Sequence, residues 1–354
     1  MGFRYSRKFA YYYKPNGRRG AIPQARHHDG EKSMHHEEIG GYLELEHFGG
    51  REYYPDAVAL NCARNAFAYL IEARHIHDVW IPWFVCASVE QAAGRYDLDV
   101  HRYAVDNRLR PDWSTIELGP EGYLYLIDYY GLLSDDEIRE AAARADNRIV
   151  VDEVMAFFHK PVDGLDTIYS TRKFFGVPDG AYLSTDAHID RELPTDESFD
   201  RMRFVLGRFE RSANEFYQLA SDNNKFFITE DIKLMSPLTH NILRAVDYPR
   251  VMSIRERNYA YLRTRLDGIN GLSVCDHPGP FMYPLLIEDG MRIRKEMQRR
   301  KIYVSTLWPH ALDAPGNAPK LASDILPLLV DQRYTLEDMD YMCDTLLELM
   351  GEKG

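Results

Sequence analysis

Cysteine is scarce in this chain: Cys62, Cys86, Cys275 and Cys343 are the four in 354 residues, and no close spacing joins them. That excludes the disulfide framework of a small secreted domain and fits a reducing compartment, so a cytoplasmic protein is expected. No apolar run reaches membrane-span length, and Met1 to Lys14, with Arg4, Arg7 and Lys8, lacks an apolar core of signal-peptide size. A soluble, unprocessed protein with no membrane partner is the expectation. Positive charge is also in deficit, with 43 Lys and Arg against 55 Asp and Glu and a net charge of -12. Binders of nucleic acid or anionic membranes need the opposite balance, so neither partner is expected, while a local basic pocket for a phosphorylated ligand stays open.

Hydrophobic residues make up 45% and charged residues 28%, the composition of a globular protein long enough for two domains. Residues 1–36 stand apart, with Tyr11-Tyr12-Tyr13, Arg18-Arg19, His27-His28 and His35-His36 among glycines and prolines. Adjacent histidines do not share a helix face, and His36-Glu37-Glu38-Ile39-Gly40 lacks the second histidine of HExxH, so no metal site is expected there. The segment reads as an N-terminal arm or partner-covering segment, with a disordered tail as the alternative.

Domain-like sequence follows. Ala57-Val58-Ala59-Leu60 leads into Asn61-Cys62-Ala63-Arg64-Asn65-Ala66, a small-residue turn opening a helix whose free N–H groups could hold a phosphate, unless Asn61 only caps a core helix. No GxGxxG or GxxxxGK loop lies nearby, so dinucleotide-binding and P-loop readings find no support. Val79 to Phe84 reads as a strand running into a Pro-aromatic turn, where Phe84 or Trp83 could stack on a flat ring or simply fill core. Gly122 to Asp128 gives another strand, and Ser134-Asp135-Asp136-Glu137 opens a helix with a capping box. Strand and helix in alternation predict an α/β domain with a mostly parallel sheet between helices.

Beyond the next strands, a helical pattern runs from about Phe199 to Asn223, a polar break covers Ser221 to Lys225, and a helix is expected over Asp231 to Ala245. A boundary near Asp247-Tyr248-Pro249 divides residues 37–247, a large domain, from residues 248–354, a smaller C-terminal α+β domain. In the latter Val251 to Leu266, Met291 to Arg300 and Thr335 to Met350 read as helices, and Phe281 to Ile287 and Ile302 to Ser305 as strands.

Two short runs within the large domain carry chemistry. Ile149-Val150-Val151 ends in Asp152-Glu153, and Thr167-Ile168-Tyr169-Ser170-Thr171-Arg172 leads to Lys173. Parallel strands deliver such terminal side chains to the carboxyl edge of a sheet, which puts Asp152 and Lys173 on neighbouring strand ends. Pyridoxal 5'-phosphate (PLP) needs this pair: a lysine to form a Schiff base, and an acid to keep the pyridine nitrogen protonated. Gly176 and Gly180 allow close backbone approach beside the lysine.

Taken in order, five segments resemble the DegT/DnrJ/EryC1/StrS sugar aminotransferases: Asn61 to Ala66, Ile149 to Glu153, Ser170-Thr171-Arg172-Lys173, Val304 to Pro309, and Leu326 to Tyr334. The resemblance runs from Ile39 to the C-terminus. It implies fold type I, with a seven-stranded sheet, and a homodimer whose sites lie at the twofold interface. Lys173 matches the lysine that carries the cofactor, Asp152 the aspartate on the pyridinium, and Ser170 a phosphate ligand. Ala63 and Arg64 match the phosphate-binding helix start, and Phe84 the aromatic that approaches the ring. Two departures stand out: Val154-Met155 replaces an Ala-Gln pair, and Ile232-Lys233-Leu234-Met235 replaces the segment whose asparagine crosses to the partner's phosphate. Asn223, Asn224 or Lys225 could supply that contact instead.

The implied activity is transfer of an amino group from glutamate or glutamine to a keto sugar on a nucleotide. A sugar dehydratase of the same family would carry histidine in place of Lys173, and a desulfurase of the fold would have histidine where Arg172 stands. A non-catalytic or regulatory protein that keeps the fold is the alternative from another class.

Overall fold

The computed structural model describes residues 40–351. Two units separate, Met1–Glu46 and His47–Gly354, and all regular secondary structure among the described residues lies in the second. The expected arm over residues 1–36 lies outside the described residues.

Strand β1 (Val58–Leu60) leads into helix α1 (Ala63–Arg74). Then follow β2 (Asp78–Pro82), α2 (Ala87–Ala93), β3 (Asp99–Tyr103), β4 (Tyr123–Ile127), α3 (Asp135–Arg144), β5 (Ile149–Asp152), β6 (Asp166–Ser170) and β7 (Ala181–Ser184). Among the described residues these seven strands form one sheet in the order β1-β7-β6-β5-β4-β2-β3. Strands β2 to β6 run parallel, and β7 alone is antiparallel to its neighbours β1 and β6. Every residue of β5 and β6 is buried, as both faces of a helix-covered sheet require, whereas the edge strand β3 keeps Asp99 exposed. The architecture is the expected α/β one. The capping box of α3 forms as well, with Glu137 N donating to Ser134 Oγ at 3.3 Å and Ser134 N to Glu137 Oε2 at 2.9 Å.

After β7 the helical pattern divides differently from the expectation. A 3₁₀ turn, Phe199–Met202, precedes α4 (Arg203–Glu210), and the break falls at Arg211 and Ser212. Helix α5 (Ala213–Thr229) runs straight through the polar stretch 221–225. Tertiary partners explain this: buried Asn223 donates to the Pro178 carbonyl at 2.8 Å, and Asn224 accepts from Arg172. Helix α6 is only Pro237–Arg244, because residues 232–235 lie extended against β1, with Met235 N donating to Ala59 O at 3.0 Å.

The C-terminal part contains α7 (Tyr248–Leu266), β8 (Met282–Leu286), α8 (Gly290–Arg299), α9 (Ala318–Asp324), β9 (Ile325–Leu329) and α10 (Leu336–Gly351). Strands β8 and β9 pair antiparallel, and α7, α8 and α10 pack around them. Tyr259, Leu262, Tyr283, Leu285, Met297, Leu326 and Leu346 form a second core, each buried side chain contributing about 1.5–3 kcal/mol. The strand expected at Ile302 to Ser305 is absent from this sheet. Val304 N closes locally onto Ile302 O at 3.1 Å, and the Val304 carbonyl accepts from Gln298 Nε2 at 3.0 Å, so neither joins a ladder.

Candidate active site

Strands β5 and β6 pair in parallel with Asp152 opposite Ile168, and β6 ends at Ser170. A single 3₁₀ turn, Thr171–Lys173, then brings Lys173 to the same carboxyl edge as Asp152. Polar contacts fix this turn. Thr171 Oγ1 donates to Gly180 O at 2.8 Å, while buried Asp179 accepts from Ser236 N and Ser236 Oγ at 2.8 Å and from Thr239 Oγ1. Gly180 has φ +117°, and a Cβ there would run into Thr171 Oγ1, so the position admits only glycine.

Asp152 is buried at 4% exposure. Its Oδ1 accepts from Val154 N at 3.0 Å and its Oδ2 from the Tyr125 hydroxyl at 2.7 Å. Burial pushes the carboxyl above its ordinary pKa, and the two donors and the Lys173 ammonium pull the other way without cancelling it. Tyr125 reaches Asp152 because Ile127 pairs with Asp152, which sets Tyr125 two residues back on the same sheet face.

A cavity of about 570 Å³ opens over this edge, with Asp152, Lys173, Ser170, Ala63 and Arg64 on its wall. Helix α1 begins there. Its N-cap, Cys62, makes no side-chain hydrogen bond, and the first turn holds no acid, so the N–H groups of Ala63 and Arg64 face the cavity without a helix partner. Two guanidinium groups add positive charge, and the buried Nε atoms of both Arg64 and Arg172 lack a hydrogen-bond partner. Arg172 donates to Asn224 and lies 4.7 Å from the Phe227 ring centroid; burial pushes its pKa down to about 10. Positive charge and unpartnered donors thus gather on one wall, a setting that suits an anion. Helix α5 closes the wall with Ser221, Asn224 and Lys225, whereas Asn223 turns away to Pro178. Lys173, its ammonium 5.3 Å from the Phe281 ring centroid, also lines a second cavity of about 470 Å³ that includes Phe204, Arg208 and Arg333.

Five of the residues named from sequence, Ala63, Arg64, Asp152, Ser170 and Lys173, thus meet on one cavity. Phe84 is placed elsewhere. It is buried in the core, edge-on to Trp308 at 4.5 Å between centroids and stacked with Tyr129 at 5.4 Å. Its rival Trp83 carries the Arg102 guanidinium at 5.4 Å. Phe67 and Trp308 supply the aromatic wall instead. Met155, at the position of the family's glutamine, lines the cavity, and Ile232 is fully buried away from it.

Sequence reasoning named Asn224 and Lys225, which α5 brings to the cavity wall, but missed the roles of Tyr125, Arg172 and Trp308. Strand parity between Tyr125 and Asp152 was the available signal for the first. The others depend on tertiary placement.

The residues fit PLP. Orphaned guanidinium nitrogens and free helix N–H groups suit a phosphate dianion, a buried carboxylate suits a pyridinium, and Lys173 stands at the same wall.

No family model and no curated protein matches the sequence. Solved structures do. DesV from S. venezuelae, determined in complex with a ketimine intermediate, is 18% identical, with a TM-score of 0.61 over 84% of this chain and 85% of its own. The sugar aminotransferase CalS13 from Micromonospora echinospora is 18% identical, with a TM-score of 0.56 over 82% of this chain and 87% of its own. NtdA from Bacillus subtilis, determined with bound cofactor PMP, is 14% identical, with a TM-score of 0.60 over 84% of this chain and 73% of its own. At such identities the likeness is one of fold. The chain has fold type I, and a DegT/DnrJ/EryC1/StrS aminotransferase from Brucella abortus is among the structures that share it.

Proposed function

We propose that the chain is a PLP-dependent aminotransferase of the DegT/DnrJ/EryC1/StrS type. It would act as a soluble cytoplasmic homodimer, moving an amino group from glutamate or glutamine to a keto sugar carried on a nucleotide. The observation that carries this reading is one cavity holding Asp152, Lys173 and the anion site of α1, Arg64 and Arg172 together. A structural neighbour described as a sugar aminotransferase, CalS13, and another with bound cofactor PMP, NtdA, support the sugar class and the cofactor respectively.

Bound in this cavity, PLP would supply a carbonyl for an incoming amine and a ring that withdraws electrons from the substrate carbon. Ala63 and Arg64 N–H groups, Ser170 and the two guanidinium groups hold its phosphate. Asp152, kept in place by Val154 N and Tyr125, retains a proton on the ring nitrogen. The Lys173 amine would anchor the cofactor, and as a free amine it would move a proton to and from the substrate carbon as base and then acid. Along the second cavity Arg208 offers a cation to the phosphates of the acceptor. Phe199, Leu206, Phe209 and Tyr217 are exposed apolar side chains on the segment 199–217, which supports a dimer that covers them.

Met155 and Ile232 favour a second reading, a regulatory protein that binds the cofactor without turnover. Glutamate decides between them. Loss of the bound-cofactor absorbance on adding glutamate, and its return on adding a nucleotide-linked keto sugar, is the expected result. A band that no amino donor changes would favour the regulatory reading.

A further inference from the structure

Behind Asp152, on the opposite face of the sheet edge, lies a second cluster that the proposed reaction does not use. Asp128 follows β4 and Glu153 follows β5; Asp128 N donates to Asp152 O at 3.1 Å, so the two side chains leave neighbouring strand ends. Alternation along β5 turns Glu153 away from the cavity that Asp152 lines. Both carboxylates are buried, at 0% and 1% exposure. Each keeps one oxygen without a hydrogen-bond partner, Asp128 Oδ2 and Glu153 Oε2. Among the described residues no lysine or arginine pairs with either. His159 bridges them, its Nδ1 3.0 Å from Glu153 Oε1 and 3.7 Å from Asp128 Oδ2, while His277 and Cys275 lie near Asp128 and Tyr54 and Tyr169 near Glu153.

The far side of the imidazole is fixed too. His159 Nε2 lies 2.9 Å from Asp135 Oδ1 at the start of α3. With Asp135 accepting from Nε2, the ring is held so that Nδ1, which donates to Glu153 in the metal-free chain, can exchange that proton for a metal ion between Asp128 and Glu153, the orientation in which metal-bound histidines are held. One ligand atom from each of Asp128, Glu153 and His159 lies within 4.8 Å of the other two. In a tetrahedral zinc site with ligands at roughly 2.0–2.2 Å, neighbouring donors stand about 3.3–3.5 Å apart, and the observed 3.0 and 3.7 Å bracket that spacing. Two carboxylates and one imidazole without thiolate select a divalent ion of zinc's kind over copper(I). A cavity of about 350 Å³ lined by His159, Asp135, Gly131 and Ala156 brings solvent to the imidazole, which gives an entry path to the cluster.

We infer that Asp128, Glu153 and His159 form a zinc site, one ion per chain, which clamps the ends of β4 and β5 to α3. Its role is structural: it holds the strand end that presents Asp152 from behind. Glu153 and His159 come from the connection between β5 and β6, and Asp128 from the loop after β4, so the site forms only when the two strands pair.

The test is zinc content and thermal unfolding of the full-length protein, wild type and Glu153→Gln, after metal removal and re-addition of zinc chloride. Glutamine keeps the shape and can donate to Asp128, so the variant is expected to fold; the wild type with and without metal gives a comparison that needs no variant. The inference expects one zinc retained per wild-type chain, a rise of several degrees in melting temperature with zinc, and at least tenfold weaker binding in the variant. Zinc held equally by the variant would place the ion elsewhere and overturn the site. A wild type that retains no zinc and shows no shift would overturn it as well, leaving a proton shared between the carboxyl groups.

Discussion

The Tyr125 hydroxyl donates to Asp152 Oδ2 at 2.7 Å, from a strand position two residues before the residue that pairs with Asp152. This hydrogen bond to a charged group lowers a carboxyl that burial raises. Tyr125→Phe removes it while keeping the ring, and such bonds contribute about 1.5–3 kcal/mol. Turnover should fall about 10- to 100-fold with cofactor content preserved. The acid limb of the pH–rate profile should move to higher pH, because Asp152 then protonates earlier as pH falls. A profile that does not move would show that Tyr125 only packs.

Arg172 has Asn224 and the Phe227 face as its partners, and among the described residues no carboxylate is hydrogen-bonded to it. An enclosed cation without a counter-ion costs the apoprotein several kcal/mol and is compensated when an anion arrives. Arg172→Met should therefore leave the melting temperature of the cofactor-free protein unchanged or higher, while PLP affinity, read by fluorescence quenching, drops about 10- to 100-fold. A less stable apoprotein with unchanged affinity would contradict the anion-site assignment.

Gly180 tests the turn that presents Lys173. With φ +117° and Thr171 Oγ1 in the path of a Cβ, Gly180→Ala should destabilise the fold by about 2–4 kcal/mol. Denaturant unfolding measures this directly, and a change within about 0.5 kcal/mol, the range of an ordinary surface substitution, would mean the turn rearranges freely.

Acid should loosen the body of the protein through Glu52. Burial works to raise this carboxyl, but donation from His240 at 2.9 Å and from Tyr182 at 2.6 Å, with the charges of His240 and Arg244, holds it below its ordinary value. A depressed carboxyl stabilises the fold above its unfolded pKa, and that contribution is lost as pH falls through the folded value. Stability should decline below about pH 4.5. Glu52→Gln should lose about 1–3 kcal/mol at pH 7 and show a shallower acid slope; an unaltered slope would remove Glu52 from the account.

The sequence made the chemical pair legible because Asp152 and Lys173 end short apolar runs, and a strand end is where a parallel sheet displays side chains. The start of α1 at the cavity was visible for a similar reason, since a small-residue turn before a helix exposes N–H groups. Other parts were hidden by partners far along the chain. The polar run at 221–225 looks like a loop until Asn223 meets Pro178 and Asn224 meets Arg172. Ile302 to Ser305 has strand composition, yet its carbonyl and amide groups are satisfied within a local turn and by Gln298. Phe84 has the chemistry to cover a ring but is drawn into the core between Tyr129 and Trp308, and Trp308 reaches the cavity from much later in the chain.

Borohydride reduction of the protein mixed with PLP, followed by peptide mass mapping, tests the central claim most directly. The account predicts a visible absorbance band shifted from that of free PLP, and after reduction one phosphopyridoxyl mass increment on the peptide bearing Lys173, both lost in Lys173→Ala. An increment spread over surface lysines, or a band that persists in Lys173→Ala, would contradict it.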